Sequence, residues 1–182
     1  MLIGLVGTNG SGKSSACSYL KDRGFTVFSL STIVRQEAAK IGRPLTRDNL
    51  IVTGSELKRE NGADVLAKKA FDQCGHLPQV VFDSIRHPAE AAYLVQKGVV
   101  LVGITAPVEV RYARIFDRKD STDKIDYDTF LRQDNCENTG KSSGQNILQT
   151  MKACRYTLDN GKDVSTFHRK LEVLLTKVSS HV

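Results

Sequence analysis

The chain reads as an α/β protein: a three-layer α/β/α domain around a five-stranded parallel sheet, with a helical insertion and a lid region added to it. Three observations point there. Short apolar runs alternate with longer amphipathic stretches, the pattern of strand–helix units whose parallel strands are covered on both faces. A glycine-rich turn follows the first apolar run and opens an amphipathic stretch. Finally, 182 residues, 40% hydrophobic and 25% charged, suit one core and are marginal for two.

The elements follow in order. Residues 2–6 form the first expected strand, and the helix after the glycine turn is expected over 12–22, with Gly24 as a left-handed cap. Residues 25–30 form the second strand. Ser31 is placed to cap a helix through Lys40, and Gly42-Arg43-Pro44 stops it, because proline lacks the amide donor and disfavours helix in its predecessor. Residues 46–74 read as two helices broken near Asn61-Gly62, a helical insertion at 46–75 on the acceptor side of the site. A third strand spans 80–82. Pro88 falls in the first turn of a helix that ends by Gly98, and 99–105 is a fourth strand. Pro107 opens a helix reaching about Arg118, and the polar stretch 119–127 reads as a mobile connection. A helix from Tyr127, a loop at 139–144, a helix to about Ala153, a strand at 156–158 and a helix from Ser165 complete the chain. Residues 112–145 form the expected lid, and 1–182 a single domain without internal repeats.

Composition excludes long disorder, a coiled coil and a disulfide-scaffolded miniprotein. No apolar run approaches the roughly 20 residues of a membrane span, and the N-terminus lacks a basic leader, so a cytoplasmic protein without membrane partners is expected. Cys17, Cys74, Cys136 and Cys154 are scattered without a Cys-x-x-Cys pair and are expected to be reduced thiols. The four histidines show no paired metal spacing. A net charge of +6, from 26 basic and 20 acidic side chains, suits an anionic partner.

Gly7-Thr8-Asn9-Gly10-Ser11-Gly12-Lys13-Ser14 matches G-x-x-x-x-G-K-[ST] in full, between a strand and a helix as its chemistry requires. Glycines let consecutive amides converge on phosphate oxygens, and the helix N-terminus adds partial positive charge. Lys13 supplies a full charge to the β and γ phosphates, the Ser14 hydroxyl is placed on Mg²⁺, and Ser15 completes the expected nucleotide-binding set. The chain is therefore expected to bind ATP with Mg²⁺. Asp83, closing the third strand, is the expected carboxylate partner of the ion, although an Asp there also serves as a turn or cap residue.

Phosphoryl transfer between two anions needs cations, and arginine is always charged and forked. Arg35, after the second strand, and Arg86, just past Asp83, are candidate acceptor-binding residues. Arg111, Arg114 and Arg118 are spaced to lie within roughly 60° of one helix face, leading into the lid. They either close onto the transferring group, with Arg114 and Arg118 as catalytic candidates, or form a solvated face paired with Glu109, Asp117 and Asp120. Asp159-Asn160-Gly161 is either a simple turn or a loop bordering the adenine, which makes Asn160 a candidate nucleotide contact. The basic residues are interspersed with acids and lack an aromatic stacking pattern, so no nucleic-acid partner is expected.

Taken together, these segments resemble the nucleotide-kinase branch of P-loop NTPases over nearly the whole chain. Ser31-Thr32-Ile33-Val34-Arg35 is similar to the adenylate-kinase segment whose arginine grips the acceptor phosphate. Phe82-Asp83-Ser84-Ile85-Arg86 resembles the Asp-Gly-x-Arg motif of adenylate-kinase-like and dephospho-CoA-kinase-like proteins, with Ser84 in the glycine's place. The arginine helix looks like their lid, residues 156–161 resemble the segment before the last helix of dephospho-CoA kinase, and residues 144–147 resemble P-loop domains found beside deoxycytidylate deaminases. The resemblance implies transfer of the γ-phosphoryl of ATP, with Mg²⁺, to a small nucleotide or CoA-precursor acceptor. Dephospho-CoA kinases carry an aspartate after the second strand to take the hydroxyl's proton, whereas this chain has Ser29-Leu30-Ser31. A nucleoside monophosphate needs no such base, since its oxygen is already ionised at neutral pH. Dephospho-CoA and a nucleotide-dependent ATPase or switch stand as the alternatives.

Overall fold

In the computed structural model, residues 1–117, 125–140 and 145–180 are described, apart from the side chain of Arg47. The elements are β1 (Leu2–Val6), α1 (Lys13–Lys21), β2 (Thr26–Ser29), α2 (Leu30–Lys40), α3 (Arg47–Asn61), α4 (Val65–Cys74), β3 (Val80–Ile85) and α5 (Pro88–Gln96). Then come β4 (Val100–Thr105), α6 (Val108–Phe116), α7 (Tyr127–Thr139), α8 (Ile147–Met151), β5 (Tyr156–Asp159) and α9 (Val164–Ser179). All strand pairs are parallel, in the order β2-β3-β1-β4-β5, as expected for an α/β sheet with crossover helices. The chain winds to one edge after β1 and to the other after β4. The loops following β1 and β3 therefore open side by side at the carboxyl end of the sheet, where such folds bind ligands.

Strand alternation divides the core in two. Val80 and Phe82 point to one face, joining Leu30, Ile33, Leu66 and Leu94 from α2, α4 and α5; Val81 points to the other, joining Ile3, Leu5, Leu20 and Leu171 from β1, α1 and α9. Both faces are covered, which explains the continuous apolar runs. Tyr112 packs against Tyr127 and Phe130, tying α6 to α7.

The boundaries depart from expectation in instructive places. Helix α2 begins at Leu30 with Ser29 as its N-cap residue, and Ser31 caps nothing: the two hydroxyls bond each other, and Ser31 accepts from Arg35. Strand β3 runs on past Phe82 to Ile85, so Asp83 lies within it; the polar pair Asp83-Ser84 hid the continuation. Helix α8 stops at Met151, and α9 starts at Val164, where Asp163 accepts from the Thr166 amide. Helix α6 ends at Phe116. The polar segment 118–124, with Arg118, and residues 141–144 lie outside the described residues, and with them part of the expected lid.

Candidate functional site

The loop between β1 and α1 is shaped by glycines where a side chain has no room. A Cβ at Gly7 would stand 2.5 Å from the Ile104 carbonyl oxygen, and Gly10 and Gly12 take φ of +76° and +104°, a region costly for other residues. Lys13 Nζ folds along the loop and donates to the carbonyls of Gly7 (2.7 Å) and Thr8 (2.9 Å). Two neighbours hold the loop from outside. Asn160 Nδ2 donates to the Ser11 carbonyl at 2.8 Å, while its backbone N–H bonds Thr105 O at the end of β4. Arg111 Nη1 donates to the Asn9 carbonyl at 3.3 Å.

A polar cavity of about 170 Å³ opens between this loop (Asn9, Gly10, Gly12, Lys13, Ser14) and the end of β3 (Asp83, Ser84, Arg86). Thr8 and Ser15 are half-buried beside it in sequence, and Ser11 is fully buried. Asp83 Oδ2 accepts from the Ser84 hydroxyl at 3.2 Å, and its Oδ1 is buried without a partner. Burial, and next the Asp83 charge, push the nearby Cys17 thiol up to about 12 against the opposing pull of Lys13, so it stays protonated at neutral pH. A larger groove of about 370 Å³ between β5 and α9 shares no residue with this site and is mainly apolar.

The arginines divide sharply. Arg86 lines the cavity and turns its Nη1 to Gln145 Oε1 just before α8 (3.1 Å) and to Glu137 Oε1 on α7 (3.9 Å). Arg35 is exposed on α2, outside the cavity wall, and donates to Ser31 Oγ at 2.9 Å. Arg114 Nη2 donates to the carbonyls of Asn160 (2.9 Å) and Lys162 (3.4 Å), and its Nη1 is buried and unpartnered beside Gly12. Arg111 belongs to neither expected arrangement: it is buried and makes a bidentate pair with Asp134 of α7, at 2.6 and 2.9 Å. Helical spacing gave its direction on α6 but not the carboxylate waiting on α7. Asn160 is likewise spent on the loop, so its side chain shapes the nucleotide site from behind.

Sequence reasoning missed the buried Glu90, whose Oε2 accepts from the amides of Arg86 (2.9 Å) and His87 (3.1 Å) and so fixes where Arg86 leaves β3. The available signal was a glutamate three residues after His87 at a helix start. The residues present fit a nucleoside triphosphate with magnesium: a glycine cradle that a Cβ would fill, with a lysine, a serine and an aspartate that has a buried unpartnered carboxylate oxygen lining one cavity.

Loop, sheet order and cavity together define a P-loop nucleotide-binding domain of kinase-like fold. Among solved structures the chain is similar to the TT1252 protein of Thermus thermophilus, with a TM-score of 0.66 and 19% identity over 97% of both chains. It is also similar to shikimate kinase of Bacteroides thetaiotaomicron, with a TM-score of 0.60 and 13% identity over 97% of this chain and 98% of that one. At such identities the likeness is one of fold. Residues 3–140 match the AAA_18 family, an AAA domain, and the chain belongs to that family and to the UPF0200 proteins. It is 30% identical over 182 residues to the UPF0200 protein of Methanothrix thermoacetophila, covering 97% of each. It is 31% identical over 188 residues to a UPF0200/UPF0201 protein of Archaeoglobus fulgidus, spanning all of this chain but only 57% of that longer one. No helix among the described residues is long and apolar enough to cross a membrane.

Proposed function

We propose that this protein is an ATP- and Mg²⁺-dependent phosphotransferase that moves the γ-phosphoryl of ATP to a nucleoside or deoxynucleoside monophosphate. The observation that carries the reading is the single polar cavity in which Lys13, Ser14, Asp83 and Arg86 meet the glycine loop, with Asp83 Oδ1 buried and unpartnered. Magnesium, when bound, neutralises charge on the β and γ phosphates. Ser14 and Asp83 would hold it; among the described residues no cluster of three or more His, Cys, Asp and Glu is assembled, so its other ligands would be phosphate and water oxygens. The loop amides and Lys13 orient the donor phosphates, Arg114 approaches from the Asn160 side, and Arg86, with Arg35 further out, attracts an anionic acceptor.

A hydroxyl acceptor such as dephospho-CoA is the second reading. Asp83 favours it, since Oδ1 is a carboxylate oxygen without a hydrogen-bond partner at the cavity and is available to take a proton. A coupled assay separates the readings: ADP release from ATP and Mg²⁺ across ribo- and deoxyribonucleoside monophosphates, dephospho-CoA and no acceptor. Release dependent on a monophosphate supports the proposal, and release with dephospho-CoA alone selects the second reading. Release indifferent to any acceptor means an ATPase or switch.

A further inference from the structure

A bulge in β3 gives this site a polar feature that phosphate transfer as described does not use. Against β1 the register steps from Gly4↔Phe82 to Val6↔Ile85, so Asp83 and Ser84 together stand opposite Leu5. The extra residue is absorbed at Ser84, whose φ of +63° is the only positive value for a non-glycine among the described residues. Such a backbone is uncommon outside glycine and, where it occurs, clusters at functional sites.

Strand alternation would send the Ser84 side chain away from that of Asp83. The bulge instead returns its hydroxyl to the carboxylate, donating to Asp83 Oδ2 at 3.2 Å and accepting from Ser29 Oγ at 2.9 Å. Ser29 is the register partner of Asp83 on β2. A hydroxyl carries one proton. Ser29 gives its own to Ser84, so in the 2.9 Å contact between Ser29 and Ser31 the donor is Ser31, which in turn accepts from Arg35 Nη1 at 2.9 Å. Every link then points the same way, from the guanidinium of Arg35 through Ser31, Ser29 and Ser84 to the carboxylate of Asp83. Hydrogen bonds aligned between a cation and an anion polarise one another.

We propose that Ser84 is a positioning residue that clamps Asp83 Oδ2 and couples it, through Ser29 and Ser31, to Arg35. The proposal rests on the phosphotransferase reading, in which Arg35 meets the acceptor and Asp83 the metal. Its sign follows from the chain's direction. An acceptor phosphate that draws Arg35 away from Ser31 removes the positive end of the chain, weakens donation to Asp83, and leaves the carboxylate more negative toward a divalent cation. Acceptor binding therefore tightens metal binding, and by linkage the metal tightens acceptor binding equally. A glycine at position 84 would sit there without strain but could make neither hydroxyl contact.

The test titrates Mn²⁺, read by its paramagnetic signal, into the full chain loaded with a non-hydrolysable ATP analogue, with and without each member of the monophosphate panel. In the wild type at least one monophosphate is expected to tighten Mn²⁺ binding about fivefold. In Ser84→Gly, Ser84→Ala and Ser29→Ala that tightening is expected to vanish. Ser29→Ala breaks the chain on ordinary backbone, and as Ser29 makes no side-chain cap bond it leaves α2 intact. Retention of the wild-type coupling in Ser84→Gly, or its absence for every monophosphate in the wild type, overturns the proposal. Coupling without a phosphorylated product would instead count against phosphate transfer alone, and transfer without dependence on Ser84 or Ser29 against the serine chain alone.

Discussion

At the scale of single residues, the loop is defined as much by what surrounds it as by its own glycines. A Cβ at Gly12 would overlap Asn160 Nδ2, the atom that holds the Ser11 carbonyl, and the φ of +104° would be strained besides. Gly12→Ala is therefore expected to push Asn160 off the loop and weaken binding of a fluorescent ATP analogue at least tenfold, with about 1–3 kcal/mol of backbone strain; unchanged affinity would contradict this reading. Arg114 offers a complementary case, being held by the 160 and 162 carbonyls with one nitrogen still unpartnered. Arg114→Ala is expected to lower kcat much more than ATP affinity, as steady-state kinetics with the active acceptor would show. That the loop glycines, Lys13 and Ser14 line one cavity was legible in the sequence because they share one local spacing, and Asp83 was legible because it follows an apolar strand run. The roles of Ser84 and Asn160 were not, because each depends on a partner 55 or 149 residues away.

Between elements, two contacts set how the helices frame the site. The α6–α7 connection rests on the Arg111–Asp134 pair, whose side chains are 8% and 10% exposed, together with the Tyr112 ring contacts. Breaking such a pair from one side leaves a buried charge, so Arg111→Met is expected to cost about 3–5 kcal/mol in urea unfolding, most of it recovered in Arg111→Met/Asp134→Leu. A double variant as unstable as the single would show that the pair itself holds the helices together.

At the start of α5, His87 Nδ1 accepts from the Ala89 amide at 3.1 Å, which requires the neutral ring. Burial first, and then the Lys58 charge, lower its pKa against the opposing effect of Glu90. The unfolded histidine, near 6.5, then binds a proton more readily than the folded one. Its stabilisation is complete above that value and is lost as pH falls through the folded value. Thermal stability is expected to fall as pH drops below about 6.5, and His87→Asn, which keeps a capping side chain, is expected to flatten that slope; parallel slopes would refute the assignment.

Across the whole molecule, apolar patterning made the sheet and its flanking helices readable, most plainly at the central strands β1, β3 and β4, whose burial on both faces leaves runs of Val, Ile, Leu and Phe. What stayed hidden was polar and non-local. Strand β3 carries its polar residues through a bulge, α2 starts two residues early because its serines serve one another, and α6 spends an arginine on α7 rather than on solvent. These three departures all lie around the same cavity, where tertiary partners override local preference. The most direct test follows the γ-phosphoryl itself. Wild-type protein is mixed with ATP, Mg²⁺ and each monophosphate, and the products are read by ³¹P NMR beside Asp83→Asn. Diphosphate signals of the acceptor should grow with the wild type and fade at least a hundredfold in rate with Asp83→Asn, whereas inorganic phosphate as the sole product for every acceptor would contradict the phosphotransferase assignment.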